Sequence, residues 1–187
     1  MSFETLLSLC LGLGLSAACG FRVFVPLLVV NLAARAGLVD LSGELAWMGE
    51  TTALWTFGVA TVLEIGAYYI AWLDNLLDTV ATPTAVVAGA VVTASVVTDV
   101  DPAMKWMLAV IAGGGVAGAV QTATVGGRIL SSVTTVGFGN PLVATIELFG
   151  SFFLSILALL MPLLAAVFVL FLLMLLWRRR RRRRAAT

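Results

Sequence analysis

Residues 148–177 read LFGSFFLSILALLMPLLAAVFVLFLLMLLW, 30 residues without a charge, and residues 178–184 that follow are all arginine. That run makes about 45 Å of helix, too long for one upright crossing of a bilayer and short for two, with Pro162 as a kink point. Seven arginines directly after Trp177 are a strong positive-inside signal, so the C-terminus is expected in the cytoplasm. Arg178, Arg179, Arg180, Arg181, Arg182, Arg183 and Arg184 are expected among anionic lipid headgroups, at about 1 kcal/mol per residue near the surface. A basic tail of this length, with no aromatic or folded module beside it, does not predict nucleic-acid binding.

The rest of the chain agrees. Of 187 residues, 61% are hydrophobic, 11% are charged, and the mean hydropathy is +1.09. Soluble domains carry about 25% charged residues, so this chain has too little polar surface to cover a water-facing globule. An integral membrane protein is predicted, and soluble enzyme folds and disordered tails are excluded. The net charge of +1 joins two unlike parts, because the body without the arginine run carries 4 basic and 10 acidic residues. There is no histidine, which removes the commonest transition-metal ligand and the usual general base near neutral pH. Cys10 and Cys19 lie about 13 Å apart on a helix, too far for a disulfide, and read as packing residues. Residues 1–20 lack a basic leader and carry only Glu4, so they are expected to remain as membrane sequence.

Clear spans are Ala53 to Trp72, Pro83 to Thr98 and Met104 to Val125. Thr5 to Ala18 and Val23 to Ala34 are each short for a span, and they read as tilted helices or as half-helices that enter and turn back. Breaks are expected at Cys19-Gly20-Phe21-Arg22, Thr82-Pro83-Thr84 and Gly137-Phe138-Gly139-Asn140-Pro141. Non-helical backbone at membrane depth persists only where protein or a wet cavity satisfies it. The expected fold is an all-α polytopic bundle of about six crossings with short or discontinuous helices. Residues 1–177 form its single transmembrane domain and residues 178–187 its basic tail. Leu76–Thr82 aligns with Ile129–Thr135 at an offset of 53, either by chance or as the trace of a duplication covering about residues 53–98 and 106–153.

Ionisable groups inside spans cost several kcal/mol and tend to be paired or functional. On an unbroken helix, Glu64, Asp74 and Asp78 share an arc of about 80°. The second segment presents Gln121, Thr124, Arg128, Ser131 and Thr135 on one side. The expectation is that Arg128 faces the acidic stripe of Glu64, Asp74 and Asp78. Glu147, seven residues after Asn140, is a further buried candidate. Gly113-Gly114-Gly115 and Gly118 have the small-residue spacing of a close helix–helix contact.

Gly20-Phe21-Arg22-Val23-Phe24-Val25-Pro26-Leu27-Leu28, Leu63-Glu64, Trp72-Leu73-Asp74-Asn75-Leu76-Leu77-Asp78, Gly127-Arg128, Gly139-Asn140-Pro141 and Glu147 resemble a bacterial membrane-protein family, domain of unknown function 4126. The resemblance reaches to about Phe153, and the Trp-Leu-Asp-Asn-Leu-Leu-Asp string is its most specific part. It departs from the family pattern around Gln121 to Gly126, where a His and a Lys are usual. It implies a bacterial cytoplasmic-membrane location and supports the choice of residues, and it carries no activity.

The sequence therefore predicts a small transporter or channel-like protein for an ion or polar solute. Candidate binding residues are Arg22, Glu64, Asp74, Asn75, Asp78, Arg128, Asn140 and Glu147. An accessory or assembly subunit of a larger membrane complex is the other reading. No catalytic residue, metal site or cofactor is expected, since no nucleophile–base pair, phosphate loop or ligand cluster occurs. The expected partners are the bilayer, anionic headgroups at the tail, and either a second copy or a membrane complex.

Overall fold

The computed structural model describes residues 3–98, 100–135 and 138–184, with side chains for all of these except 71–78 and 179–184. The described regular structure is all helical: α1 (Phe3–Cys19), α2 (Phe24–Arg35), a 3₁₀ turn (Gly43–Gly49), α3 (Thr51–Ala67), α4 (Ala71–Val96), α5 (Pro102–Leu108), α6 (Gly115–Thr135), α7 (Asn140–Leu160) and α8 (Pro162–Arg184). A π-helical stretch, Ala109–Gly114, joins α5 to α6 in one rod of 34 residues. Asp101 opens this rod, its Oδ1 accepting from Ala103 N at 2.9 Å with Pro102 in the first helical turn, where a missing N–H costs nothing.

Three helices are long and apolar enough to cross a membrane: Thr79–Val96, Pro102–Thr135 and Asn140–Leu160. Shorter apolar helices are Phe3–Cys19, Phe24–Arg35, Thr51–Ala67 and Pro162–Arg178. The long uncharged run belongs to two of these helices. Met161 leaves the helical region (φ −141°, ψ 71°) and Pro162 starts α8. α8 then turns back along the bundle: Ala158 and Ala165 both crowd Gly14, while Leu176 and Trp177 border the same groove as Val133 of α6. Pro162 is thus a hairpin corner, not a kink.

Small residues build the dry centre. Ser16 Oγ donates to Gly89 O at 2.7 Å, and Thr93 Oγ1 donates to Gly12 O at 3.2 Å, so α1 and α4 run antiparallel. A Cβ on Gly113 would stand 2.3 Å from Thr93 Oγ1 and 2.7 Å from Gly89 O, and one on Gly118 would stand 2.8 Å from Val86 Cγ2. Glycine permits this approach of the π stretch and α6 to α4, as their spacing predicts. Gly115 faces open space and takes no part.

The break between α1 and α2 lies halfway along the bundle. A Cβ on Gly20 would meet Ala117 O and Val120 Cβ at 2.6 Å, in the middle of the rod. Ser151, in the middle of α7, donates to Ala18 O at 3.0 Å, the carbonyl that also accepts the Phe21 and Arg22 amides where α1 ends. The opposite ends of these helices are stitched separately. Asn31 Nδ2 donates to Met48 O at 2.5 Å and Glu50 O at 3.0 Å, Ser42 N donates to Ser95 O, and Lys105 Nζ donates to Glu44 Oε2 at 3.0 Å.

Two expectations are corrected. Pro83 does not break α4, which runs through it from Ala71 to Val96. A proline removes a single N–H from the helical ladder, and the turns on either side carry α4 through it. Conversely, the helix expected to carry Glu64, Asp74 and Asp78 together ends at Ala67 and restarts at Ala71, with Ile70 extended (φ −106°, ψ 107°). Gly66 and the run Tyr68-Tyr69-Ile70 are weak helix formers, and Tyr68 is committed to the contacts described below. Leu76–Thr82 lies in the first half of α4, whereas Ile129–Thr135 closes α6.

Candidate functional site

Arg22 follows the last turn of α1, Glu64 and Tyr68 end α3, Arg128 lies on α6 and Glu147 on α7. None of the five is more than 8% exposed. Separated by up to 125 positions in sequence, they meet at the α1–α2 break.

Glu64 is held by backbone. Its Oε1 accepts from Val23 N at 2.8 Å and its Oε2 from Phe24 N at 3.1 Å. Both donors belong to the first turn of α2, whose N–H groups have no partner within the helix and whose dipole favours a negative charge. The carboxylate therefore caps a helix that starts inside the bundle, away from water. No sequence signal near Val23 announces this cap, because the capping group comes from 40 residues away.

Glu147 is held by arginine. Arg128 Nε donates to its Oε1 at 3.1 Å and Arg128 Nη2 donates to its Oε2, a bidentate pair. Such pairs are among the strongest polar contacts in a buried setting. Arg22 Nη2 stands 3.9 Å from the same Oε2 and donates to Ala144 O at 2.8 Å, one turn earlier on α7.

Tyr68 lies between the two cations. The Arg22 guanidinium carbon is 3.8 Å from the ring centroid and that of Arg128 is 3.9 Å. Two guanidinium groups that close cannot share one face without overlapping, so the ring is sandwiched and its π faces offset part of the mutual repulsion. Tyr68 was not among the sequence-predicted residues. Its signal was its place four positions after Glu64, on the same helical face, although an isolated tyrosine in an apolar segment has no reason to stand out.

The structure thus brings together Arg22, Glu64, Arg128 and Glu147 of the expected set. The carboxylate described in hydrogen-bond contact with Arg128 is Glu147, on the adjoining helix, while both oxygens of Glu64 are taken by the α2 amides. Asn140 sits two turns before Glu147 on α7 and exchanges hydrogen bonds with Ser132, one turn beyond Arg128, at 3.0 and 3.3 Å. It extends the α6–α7 contact. The side chains of Asp74, Asn75 and Asp78 lie outside the described residues, as do those of Arg179 to Arg184; Arg178 is exposed.

Among the described residues no group of three or more potential metal ligands occurs. What the junction offers is hydrogen bonding and charge: two guanidinium groups, two carboxylates and an aromatic ring, removed from water at a helix break. No curated protein and no solved structure matches the chain. Residues 9–182 match the family described as "Domain of unknown function (DUF4126)", further than the resemblance to about Phe153 had reached, and the chain belongs to that family.

Proposed function

We propose that this chain is a small transport or channel-like protein of the bacterial cytoplasmic membrane, moving an ion or polar solute past the junction of Arg22, Glu64, Arg128 and Glu147. One observation carries the reading: four ionisable side chains are buried together where α1 stops and α2 begins, level with the middle of the long helices. Charges at that depth are costly, and helices interrupted around them are a recurring way to build a solute site inside a membrane. In this arrangement α1 and α2 enter from one face and turn back at the midplane, α3 runs from that same face to end at the junction, and α4, the α5–α6 rod, α7 and α8 cross. The face carrying Asp40, Glu44, Glu50 and Asp101 is then external, and the arginine run is cytoplasmic. The acidic Asp74 and Asp78, placed by the backbone on the first turns of α4, are the neighbouring candidates for a path to the cytoplasm.

Reconstituted protein tested by solid-supported-membrane electrophysiology against inorganic ions, amino acids and organic anions examines this directly. At least one class should give a transient current that the charge-neutral double variant Arg128→Gln with Glu147→Gln abolishes. Silence across the panel from folded wild-type protein would remove the transport reading.

A groove of about 770 Å³ between α6 and α8 supports the lipid partner. Ala119, Gly126 and Gly127 floor it, Leu173 and Trp177 wall it, and the exposed Arg178 follows Trp177 at one end. An acyl chain there would place an anionic headgroup at the arginines. The second reading, an accessory subunit, draws on the exposed apolar residues of α8, including Leu163, Val167, Leu170 and Phe171. A stoichiometric heterologous partner in a gentle-detergent pull-down favours it; a homo-oligomer alone favours transport.

A further inference from the structure

The four charges of the junction are not equally satisfied. Both oxygens of Glu64 accept backbone N–H groups, and both oxygens of Glu147 accept from Arg128. Arg22 differs. It is 1% exposed, yet only Nη2 makes a hydrogen bond, to Ala144 O, while Nε and Nη1 have no partner. Those two nitrogens carry three N–H donors. Its closest carboxylate oxygen is 3.9 Å away and already committed to Arg128. A second guanidinium stands across the Tyr68 ring. A buried cation with unused donors is costly, and the usual resolution is an oxygen-rich anionic partner.

We propose that Arg22 recognises an oxyanion, a carboxylate or phosphate group, seated beside Tyr68 at the α1–α2 break. The inference rests on reading the junction as a binding site and assigns the class of group it takes. The stacked ring fixes the plane of the Arg22 guanidinium, and the Ala144 carbonyl fixes its rotation, so its remaining donors are preorganised for planar oxygen acceptors. Arg128, which gives Nε and Nη2 to Glu147, adds positive potential across the ring.

The chain has ten arginines, so arginine side-chain ¹⁵N NMR of the full protein in zwitterionic nanodiscs is tractable. The Arg22 Nε–H resonance is assigned by its loss in Arg22→Lys, which retains the charge and serves as the folded control. Acetate or inorganic phosphate should shift that resonance saturably, whereas chloride at equal ionic strength should not. In Arg22→Lys the apparent affinity, read by thermal shift, should weaken about tenfold, because the planar fork is lost. Nanodiscs containing phosphatidylglycerol form the second arm: a shifted resonance with no added anion identifies a lipid headgroup as the source, and a shift only with free anion identifies a solute. A resonance unmoved in both arms, or an unchanged affinity in Arg22→Lys, overturns the proposal. Binding without current would leave this site standing and remove transport; cation currents with an unmoved resonance would do the reverse.

Discussion

Two buried regions hold this bundle together by opposite means. The seam of α1, α4 and the α5–α6 rod is made from Gly12, Gly89, Gly113, Ser16 and Thr93, with backbones brought to within the thickness of a missing side chain. The junction at the α1–α2 break is made from Arg22, Glu64, Tyr68, Arg128 and Glu147, large groups joined by charge. In a bilayer, lipid tails are as apolar as leucine, so neither region gains from hydrophobic burial between helices. Close packing is enough for the seam. The junction costs desolvation and must be compensated group by group. The seam therefore reads as architecture, and the junction as a feature held against its cost.

That contrast has measurable consequences. Glu147→Ala removes the buried carboxylate on which both guanidinium groups converge and should be the most damaging change, at roughly 3–5 kcal/mol in a detergent unfolding titration. Glu64→Gln keeps the shape but loses the charge facing the first turn of α2, and should cost about 1.5–3 kcal/mol. Hydrogen exchange at one of Val23 and Phe24 should rise with it, because the carboxamide keeps a single acceptor oxygen and turns an NH2 toward the other amide. On the seam, Gly113→Ala drives a methyl into Thr93 and the Gly89 carbonyl and should cost about 1–3 kcal/mol by overpacking. Gly150→Ala, where the new methyl meets nothing, should instead stabilise α7 by about 0.5–1 kcal/mol. A Gly113→Ala variant as stable as wild type would deny the close approach.

The smallest effect belongs to the far end of the bundle. Lys105 beside Glu44 holds that exposed carboxyl below the ordinary carboxylate range, through a 3.0 Å hydrogen bond and its charge. A depressed folded-state value means that the contribution is complete above the unfolded value, about 4.3, and is lost as pH falls through the folded one. The melting temperature of wild type and Glu44→Gln should therefore differ slightly at neutral pH and converge in acid. A gap that widens on acidification would contradict the pairing.

Much of the seam was legible in the sequence, and little of the junction was. The glycine spacing at Gly113, Gly114 and Gly118 is local to one helix, so helical periodicity alone finds it. Gly20, with the short apolar segments around it, likewise marks the α1–α2 break. Pro83 misled because one missing N–H does not end a helix that neighbouring helices hold on both sides of it, and α4 runs on to Val96. Glu64 and Glu147 were recognised as buried, but the partners described for them were not: a carboxylate's partner depends on how helices rotate against one another. Glu64 found the amides of Val23 and Phe24, and Arg128 found Glu147, through contacts that no spacing within a single helix encodes. Tyr68 escaped because its role exists only between two arginines that sequence keeps 106 positions apart.

The most direct test of the junction is a double-mutant cycle on Arg128 and Glu147. It compares Arg128→Ala, Glu147→Ala and the double variant by unfolding titration in detergent, with circular dichroism confirming helix content. If the bidentate pair is one energetic unit, the double variant should be less destabilised than either single variant, since each single change leaves a buried charge behind. Strictly additive losses would contradict it: Arg128 and Glu147 would then be two separate charges, and the junction would lose its central contact.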